Sequence, residues 1–381
     1  GLAILLSLYK RTLCMKQLSL KMRSDGVQTL LSHLFILSLG LLFKPSFCEF
    51  PFVPNERLIR AFAVLQAWKL QIIADPQGFT SNWEGPDVCS YNGVFCAPPP
   101  DDPLGLTVAG IDLNGAGIYG YLPPELGLLT DLALLHLNSN NFCGTLPESF
   151  AALQLLFELD ISNNDFSGPF PCVLFQLSSL KYLDLRFNKF DGEIPPEVFD
   201  LKLDALFIND NRFRSALPAN FGNTSVSVFV LANSVVTGCI PRSIGNLGET
   251  LDELILTNVG LTGCFRDELQ RVKSLRVLDV SSNAIEGTLT DGFGELTNLE
   301  VLNIEKNKLR GNVPESILNL PKLQEFSFAF NFFSSAPELT RRLPVIDDRR
   351  NCIPNRVNQR SPEECRLFFG SPINCRNTTC P

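Results

Sequence analysis

Two aspartates are the first residues in this sequence whose types and spacing could do chemistry. Asp160 and Asp184 lie in the similar segments ELDISNN and YLDLRFN, 24 residues apart. If such segments form neighbouring strands, the two carboxylates lie about 5 Å apart. A retaining glycosidase uses a carboxyl pair at about that separation. Aspartate is also the common outward residue of an L-D-L strand, so we interpret the pair as part of a solvated surface.

No other set of residues in the sequence has the spacing of a catalytic or cofactor site. His136 is the one histidine beyond residue 48, and the sequence gives it no metal partner and no triad. Cys89 and Cys96 are too far apart for a redox C-x-x-C motif. There is no phosphate-binding glycine loop, zinc-ligand spacing or nucleophile elbow. We therefore predict a protein that is not an enzyme and that holds no cofactor or metal.

The two aspartates belong to a repeat that runs through most of the chain. Its pattern, L-x-L-x-x-N-x-F-x-G-x-I-P, is clearest in KYLDLRFNKFDGEIP at 181–195. Ten copies follow one another at intervals of 23 to 25 residues. This pattern at this period is the signature of leucine-rich repeats. The asparagine slot falls at Ala116, Asn140, Asn164, Asn188, Asn211, Ser234, Val259, Asn283, Asn307 and Asn331.

The repeat predicts its own local structure. The two leucines of L-x-L point to one face of a strand and the residue between them points to the other. The asparagine amide suits the turn out of the strand, because it bonds nearby backbone groups. The fold class is therefore α/β, a right-handed solenoid of about ten repeats with a parallel concave sheet and a ladder of asparagines. The G-x-I-P ending resembles the plant-type repeat, which implies a second short strand in each coil.

The two ends of the chain differ from the repeats. Residues 1–48 are interpreted as a leader, because basic Arg23 precedes an apolar run of about 14 residues that fits a signal peptide better than a membrane span. The alternative is a membrane anchor. A solenoid exposes core at its ends, so we expect an N-terminal cap at 49–106, repeats at 107–337 and a C-terminal cap at 338–381. The mature chain is expected to be secreted, with no membrane span.

The charge of the chain bears on its partners. The 381 residues carry a net charge of −8, and without 1–48 there remain 26 basic and 39 acidic residues, a net charge of −13. Such a surface disfavours nucleic acid and favours basic partners.

Cysteines and glycosylation signals indicate an oxidising compartment. Ten of the 12 cysteines lie beyond residue 48, an even number that suits disulfides. Cys239 and Cys264 have the same phase in adjacent repeats and are predicted to bond to each other. The pairing of Cys143, Cys172 and Cys380 is left open. Sequons begin at Asn223 and Asn377. The predicted disulfide cysteines are Cys89, Cys96, Cys239, Cys264, Cys352, Cys365 and Cys375.

Four features carry a family resemblance: DVCSYNGVFCAP at 87–98, ELGLLTDLALLHLNSNNFCGTLP at 125–147, the paired G-C-[IF] at 238–240 and 263–265, and DDRRNCIPNRVNQRSPEEC at 347–365. The chain resembles the leucine-rich repeat extensins of plant cell walls from about residue 55 to 375. The resemblance implies binding of small basic, cysteine-rich secreted peptides called rapid alkalinisation factors, a role in wall integrity and growth, and a homodimer. Family members continue into a Ser-Pro-rich region, so we expect an extensin-less or truncated member.

The predicted ligand site lies on the concave face of repeats 3 to 5, where acids adjoin aromatic residues as they do in binding hot spots. Its ligands are expected to be small basic secreted peptides. One alternative is a binder of cell-wall pectin, or an inhibitor of wall hydrolases of the polygalacturonase-inhibitor kind; another is a receptor ectodomain fragment. The site residues are Glu158, Asp160, Tyr182, Asp184, Arg186, Phe187, Phe207, Asn209 and Asp210.

Overall fold

A parallel sheet lines the concave side of the molecule. The computed structural model describes residues 55–338 and 343–371, and twelve strands of this part form one sheet in chain order, parallel except for the first pair. In the central strands the middle residue is buried and its two neighbours face outward. The predicted solenoid is thereby confirmed. The strands are Val94–Ala97, Thr107–Asp112, Leu134–His136, Glu158–Asp160, Tyr182–Asp184, Ala205–Phe207, Val228–Val230, Glu253–Ile255, Val277–Asp279, Val301–Asn303, Glu325–Ser327 and Val345–Asp347.

In most coils an asparagine that follows the concave strand joins consecutive coils. Asn188 Nδ2 donates to the carbonyl of Leu185 at 3.2 Å in its own coil and to that of Ile161 at 2.9 Å in the preceding coil. Its Oδ1 accepts the backbone N–H of Phe166 at 3.0 Å. Equivalent bonds surround Asn140, Asn164, Asn211, Asn307 and Asn331. The predicted asparagine ladder is therefore present.

The ladder is interrupted where the sequence lacks asparagine. The hydroxyl of Ser234 is buried and has no hydrogen-bond partner in the described part of the chain. Val259 is also buried. Asn283, in the following coil, compensates in part, because its Oδ1 accepts the backbone N–H groups of Val259, Gly260 and Leu261.

Large apolar residues fill the space between the sheets. The phenylalanines two positions after the asparagine stack on one another through successive coils, as Phe166, Phe190 and Phe213 do with ring centroids 6.4 Å apart. All three are buried, as is Leu309 at the same position of a later coil. These residues form the predicted core.

A second strand follows the asparagine in most coils. Six of these strands form a seven-stranded sheet together with Ile72–Ala74, a strand of the N-terminal cap that pairs antiparallel with Tyr119–Gly120, and three form another sheet. Between the two sheets lies the coil of Cys264, which contributes a single bridge to Glu286. The seven are Ile72–Ala74, Tyr119–Gly120, Asn141–Gly144, Asp165–Pro169, Lys189–Gly192, Arg212–Ala216 and Val235–Thr237, and the three are Glu286–Gly287, Lys308–Asn312 and Phe332–Ser335.

Short 3₁₀ helices form the outer side of the solenoid; six of the eight follow a proline, and the other two follow Arg266 and Thr290. One coil has a four-residue α-helix, Glu315–Leu318, in this place. The 3₁₀ segments are Pro124–Leu128, Glu148–Ala152, Cys172–Gln176, Pro196–Asp200, Ala219–Asn223, Arg242–Leu247, Asp267–Arg271 and Asp291–Glu295.

The N-terminal end of the solenoid is covered by an α-helix, Glu56–Lys69. Asn55 caps this helix by accepting the N–H groups of Arg57 and Leu58. Trp68 is buried and packs edge-on against Trp83, with ring centroids 5.8 Å apart. The 3₁₀ turn Val88–Ser90 precedes the first concave strand. The cap thus buries the apolar core residues that an open end of the solenoid would expose to solvent.

The concave sheet continues into the segment predicted as the C-terminal cap. Val345–Asp347 pairs with Glu325–Ser327, and Asn351 forms a further rung with the carbonyl of Phe328 and the N–H of Phe333. Asp348 stands where other coils have the second leucine and is paired with Arg356.

A helix, Pro362–Phe369, follows this last coil. The ring of Phe368 stacks on Phe332 with centroids 3.5 Å apart. Arg360 lies over the ring of Phe332, and Arg310 lies over that of Phe368. Stacking and cation–π contacts thus hold the helix on the coils of Phe332 and Arg310, which precede the last one.

Disulfides close both ends. Cys89 bonds to Cys96 and Cys352 bonds to Cys365, which confirms that the caps are stapled. Cys143 and Cys172 are free thiols. Cys375, Cys380 and Asn377 lie outside the described residues. Asn223 is exposed, and its amide donates to Asp200.

Cys239 and Cys264 are both disulfide-bonded. In the two sheets that the second strands form, which we call the outer sheets, neighbouring strands are offset by two residues. Asp191, three residues after Asn188, therefore pairs with Arg212 and not with Arg214, which lies three residues after Asn211. Thr262 accordingly donates its N–H to the carbonyl of Gly238 at 2.7 Å. Cys239 and Cys264 hold the same position in adjacent repeats, and with this offset they are diagonal neighbours, not residues directly opposite each other. Their pairing with each other stays a prediction.

We predict that Asn188→Ala lowers the free energy of unfolding by about 2 kcal/mol or more, because buried carbonyl and N–H groups in two coils lose their partners. Ser234→Ala is the matched control at an equivalent slot, and we expect a change within about 0.5 kcal/mol because its hydroxyl has no partner in the described chain. Urea unfolding monitored by circular dichroism measures both. Equal losses in the two variants would contradict the ladder's role.

Candidate ligand-binding site on the concave sheet

The predicted site residues come together through the register of the concave strands. His136, Asp160, Asp184 and Phe207 occupy the same position on four successive strands. Glu158 and Tyr182 are level with each other in the neighbouring row. The side-by-side placement of the two aspartates is therefore confirmed.

Asp160 and Glu158 remain accessible on the sheet. Both are half-buried. Asp160 Oδ1 accepts the N–H and the hydroxyl of Ser162 at 2.9 and 2.6 Å. Glu158 Oε2 lies 3.2 Å from His136 Nε2. Among the described residues, neither carboxylate forms an ion pair with a lysine or arginine, so both are available to an external cation.

Asp184 differs from the expectation of an exposed acidic strip, because its side chain is fully buried. Its Oδ1 accepts the N–H of Arg186 at 3.1 Å, and its Oδ2 lies 3.0 Å from Arg186 Nε. The Tyr182 hydroxyl lies 3.4 Å from Oδ2. The carboxylate is thus covered by its own neighbours on the strand, and the predicted continuous acidic strip is wrong at this point.

An aromatic pair completes the cover. The rings of Tyr182 and Phe207 lie 5.5 Å apart, and the guanidinium of Arg186 is 5.1 Å from the Phe207 ring centroid. We call Tyr182, Asp184, Arg186 and Phe207 the Asp184 cluster. It combines ring faces, one buried carboxylate and one cation, with the carboxylates of Glu158 and Asp160 beside it.

The environment of the cluster changes how its groups titrate. Burial, and after it the charge of Asp160, raise the pKa of Asp184, whereas the N–H and guanidinium of Arg186 and the hydroxyl of Tyr182 lower it; the net result is a pKa of about 7. Burial also raises the pKa of Tyr182 to about 12, with Asp184 and Asp160 adding to the rise. The Tyr182 hydroxyl therefore stays protonated near neutral pH and is able to donate to Asp184.

The remaining predicted residues lie at the rim, where the chain leaves each strand. Phe187 and Asp210 hold equivalent rim positions with φ of 53° and 54°, and Phe187 is 47% exposed. Asp210 accepts from Asn209 at 2.7 Å and from Asn233 at 2.7 Å. Asn258 donates in turn to Asn233. The site thus separates into the Asp184 cluster and a polar rim row.

The sequence predicted that Arg186 belongs to the site, but not that it pairs with Asp184 and covers it. The spacing Asp184-x-Arg186 puts both side chains on one face of a strand, and that signal predicts an ion pair. The rim asparagines Asn233 and Asn258 were missed, because asparagine before the slot is also a common turn residue.

Chemically, the arrangement offers charge and ring faces for binding. Asp184 is covered, so the two aspartates do not flank an open cleft as a glycosidase pair would. Among the described residues, no group of three or more His, Cys, Asp or Glu side chains is placed to hold a metal ion. No helix in the described part is long and apolar enough to cross a membrane.

Comparison with known proteins places these features in a family. The family "Leucine rich repeat N-terminal domain" matches residues 62–97, "Leucine rich repeat" matches 130–190 and "Leucine-rich repeat region" matches 172–346. Leucine-rich repeat extensin-like protein 6 of Arabidopsis thaliana is 56% identical over 359 residues, which cover 92% of this chain and 76% of the relative. The chain belongs to the leucine-rich repeat extensin-like family.

Other comparisons agree with this membership. Leucine-rich repeat extensin-like protein 3 of Arabidopsis thaliana is 53% identical over 86% of this chain, but the match spans only 43% of that relative. Among solved structures, the ectodomain of the Arabidopsis receptor kinase HAESA in complex with an N-terminally extended IDA peptide hormone is similar with a TM-score of 0.68 and 27% identity. That match covers 77% of this chain and 50% of HAESA's.

For this extensin-like protein we predict that Asp184 makes stability depend on pH. Its pKa is raised from an ordinary 3.8 to about 7 in the folded state, so the folded chain binds a proton that the unfolded chain releases. Stability from this group is present below pH 4 and is lost as pH rises to about 7. Asp184→Asn should remove this loss, which is on the order of a few kcal/mol at about 1.4 kcal/mol per pKa unit.

Urea unfolding between pH 4 and 8 measures the difference between parent and variant. Asp279→Asn is the matched control, because Asp279 has the same position in a later repeat and likewise accepts an N–H two residues on. A pH slope of equal size in both variants would contradict the assignment to Asp184.

Proposed function

We propose that this protein is a secreted recognition protein of the plant cell wall that binds basic, cysteine-rich signalling peptides of the rapid alkalinisation factor class. Binding takes place on the concave face at the Asp184 cluster and the adjoining carboxylates. Through it the protein contributes to wall integrity during growth.

One observation carries the proposal. Glu158 and Asp160 are half-buried carboxylates without a lysine or arginine partner in the described chain, and they adjoin the ring pair of Tyr182 and Phe207. Exposed charge pairs contribute only about 0–1 kcal/mol each, so charge alone does not give tight binding. Desolvated aromatic anchors add about 2 kcal/mol or more when truncation removes them.

Charge and rings have separate tasks in this scheme. The net charge of −13 beyond residue 48 and the carboxylates of Glu158 and Asp160 attract a cationic peptide and speed its association. The rings and charge-assisted hydrogen bonds then slow its dissociation.

Family and fold support the coarser part of the proposal, a wall-associated role in protein binding. The relatives are extensin-like proteins. The HAESA ectodomain, which shares the fold, was solved with a peptide hormone bound. A rigid concave sheet of this kind therefore suits an extended or folded peptide.

We predict that Glu158→Lys with Asp160→Lys slows association of rapid alkalinisation factor peptides by tenfold or more and flattens its salt dependence, because the steering charges are reversed. Surface plasmon resonance at low and moderate salt measures both effects.

The control for this double variant is Asp191→Lys with Glu193→Lys. Both residues are exposed, Asp191 on the second strand Lys189–Gly192 and Glu193 directly after it, so the net charge changes equally away from the concave face. If the two double variants behave alike, the site lies elsewhere. If no such peptide binds the parent and a pectinase is inhibited instead, the hydrolase-inhibitor alternative gains support.

We also predict that Phe207→Ala raises the dissociation rate of the same peptides by tenfold or more with little change in the association rate, because an aromatic anchor is lost. Phe95→Ala is the control, since Phe95 is exposed on the first strand of the same sheet, five strands away. An unchanged dissociation rate for Phe207→Ala would exclude the ring as an anchor.

A further inference from the structure

We propose that Asp184, Tyr182, Phe207 and Asn209 form a guanidinium-binding site, which Arg186 of the chain itself occupies and which an arginine of the basic peptide takes over. The inference rests on the proposed function and adds to it the side chain that the site selects. In this proposal Arg186 fills the site in the free protein, and the arginine of the peptide replaces it on binding.

The contacts of Arg186 resemble those of a bound guanidinium, but they are incomplete. Its Nε lies 3.0 Å from Asp184 Oδ2, and the hydrogen bonds of the described chain include the Arg186 backbone N–H to Asp184 but no pair of guanidinium bonds to that carboxylate. The planar group meanwhile lies over the Phe207 ring at 5.1 Å. A guanidinium binds a carboxylate most strongly through two parallel N–H bonds, and Arg186 does not present its two-pronged end in this way.

A second pair in the same chain shows what a complete contact looks like. Asp347 and Arg349 hold the same two positions in the last coil, and Arg349 donates through both Nε and Nη2, at 2.9 and 2.6 Å. There the arginine lowers the pKa of its aspartate. At Asp184 the pKa is raised despite Arg186. The same Asp-x-Arg spacing thus gives a two-pronged ion pair at Asp347 and an incomplete ion pair at Asp184.

An unused acceptor lies beside Arg186. Asn209 holds the position of Arg186 in the next coil, just after the strand Ala205–Phe207. Its backbone carbonyl accepts the N–H of Phe187 at 3.1 Å. Asn209 is only 8% exposed, and its Oδ1 has no hydrogen-bond partner among the described residues. A buried amide oxygen without a donor costs free energy, and a guanidinium, with five N–H groups, is able to supply one.

The direction of approach explains why a second arginine does better. Like Arg186, Arg349 starts two residues along its strand, but that strand is the last one of the described sheet and no further strand confines its guanidinium. Arg186 lies over the Phe207 ring of the next strand, and in that position its Nε edge meets the carboxylate. An arginine from the solvent side approaches along the sheet normal and presents its two Nη groups first. Glu158 and Asp160, on the preceding strand, are carboxylates that could receive the displaced Arg186.

The decisive experiment compares Arg186→Ala with the parent in binding a rapid alkalinisation factor peptide by isothermal titration calorimetry. We expect at least tenfold tighter binding to Arg186→Ala, because the peptide no longer has to displace the internal guanidinium. Adding Asp184→Asn to this variant should abolish the gain. Equal or weaker binding to Arg186→Ala would overturn the proposal, since Arg186 would then be a plain structural partner or a direct contact.

Arg349→Ala is the matched control, because it removes the same charge from the same repeat position. We expect its affinity to stay within twofold of the parent. An equal gain in both variants would show a general charge effect and would also overturn the proposal. Arg186→Gln provides a second neutral variant of similar length in case Arg186→Ala does not fold, as judged by circular dichroism.

A probe without the peptide separates this inference from the proposed function. N-acetyl-arginine amide should bind Arg186→Ala at least tenfold more tightly than N-acetyl-lysine amide does, because only a guanidinium matches the rings and both acceptors. If this holds while no basic peptide binds any form, the guanidinium site stands and the proposed function fails. If peptides bind the parent but arginine amide shows no preference, the guanidinium site alone fails.

Discussion

The solenoid depends on one requirement: the backbone groups at the turn out of each concave strand are buried and need hydrogen-bond partners. Asparagine meets it with a single side chain, since its amide donates to carbonyls of two coils and accepts an N–H from the preceding one, as at Asn188. This fixes the distance between coils and keeps equivalent residues level. A row of equivalent positions therefore becomes a row of neighbours on the concave surface.

That geometry lets a binding surface be built from single residues of separate repeats. Asp160, Asp184 and Phe207 come from three coils, yet they lie side by side. Their side chains lie above the apolar core, which is made by other positions, such as Leu183 and Leu206. The arrangement separates the residues that hold the coil from those that meet a ligand.

The repeat pattern predicted the concave sheet, the buried leucines, the phenylalanine core and the ladder, because all of these follow from a local period. It did not predict the burial of Asp184, which arises when Arg186 folds back and Phe207 of the next coil covers the pair. The two-residue offset of the outer strands was also missed, because period alone carries no information on register between coils. The last rung, Asn351, was missed because aspartate replaces leucine at Asp348.

The gap in the outer sheet has a mechanical consequence. At the coil of Cys264 the concave strands continue without a break, whereas the outer strands are reduced to one bridge. A pulling force along the solenoid axis is shared by two sheets at most levels and falls chiefly on one at this level. The predicted Cys239–Cys264 disulfide would span this level and carry the load that the missing strand pairing does not. Reduction of that bond would then divide the molecule under tension into two stiff segments joined by a more compliant one, with the Asp184 cluster wholly within the first segment.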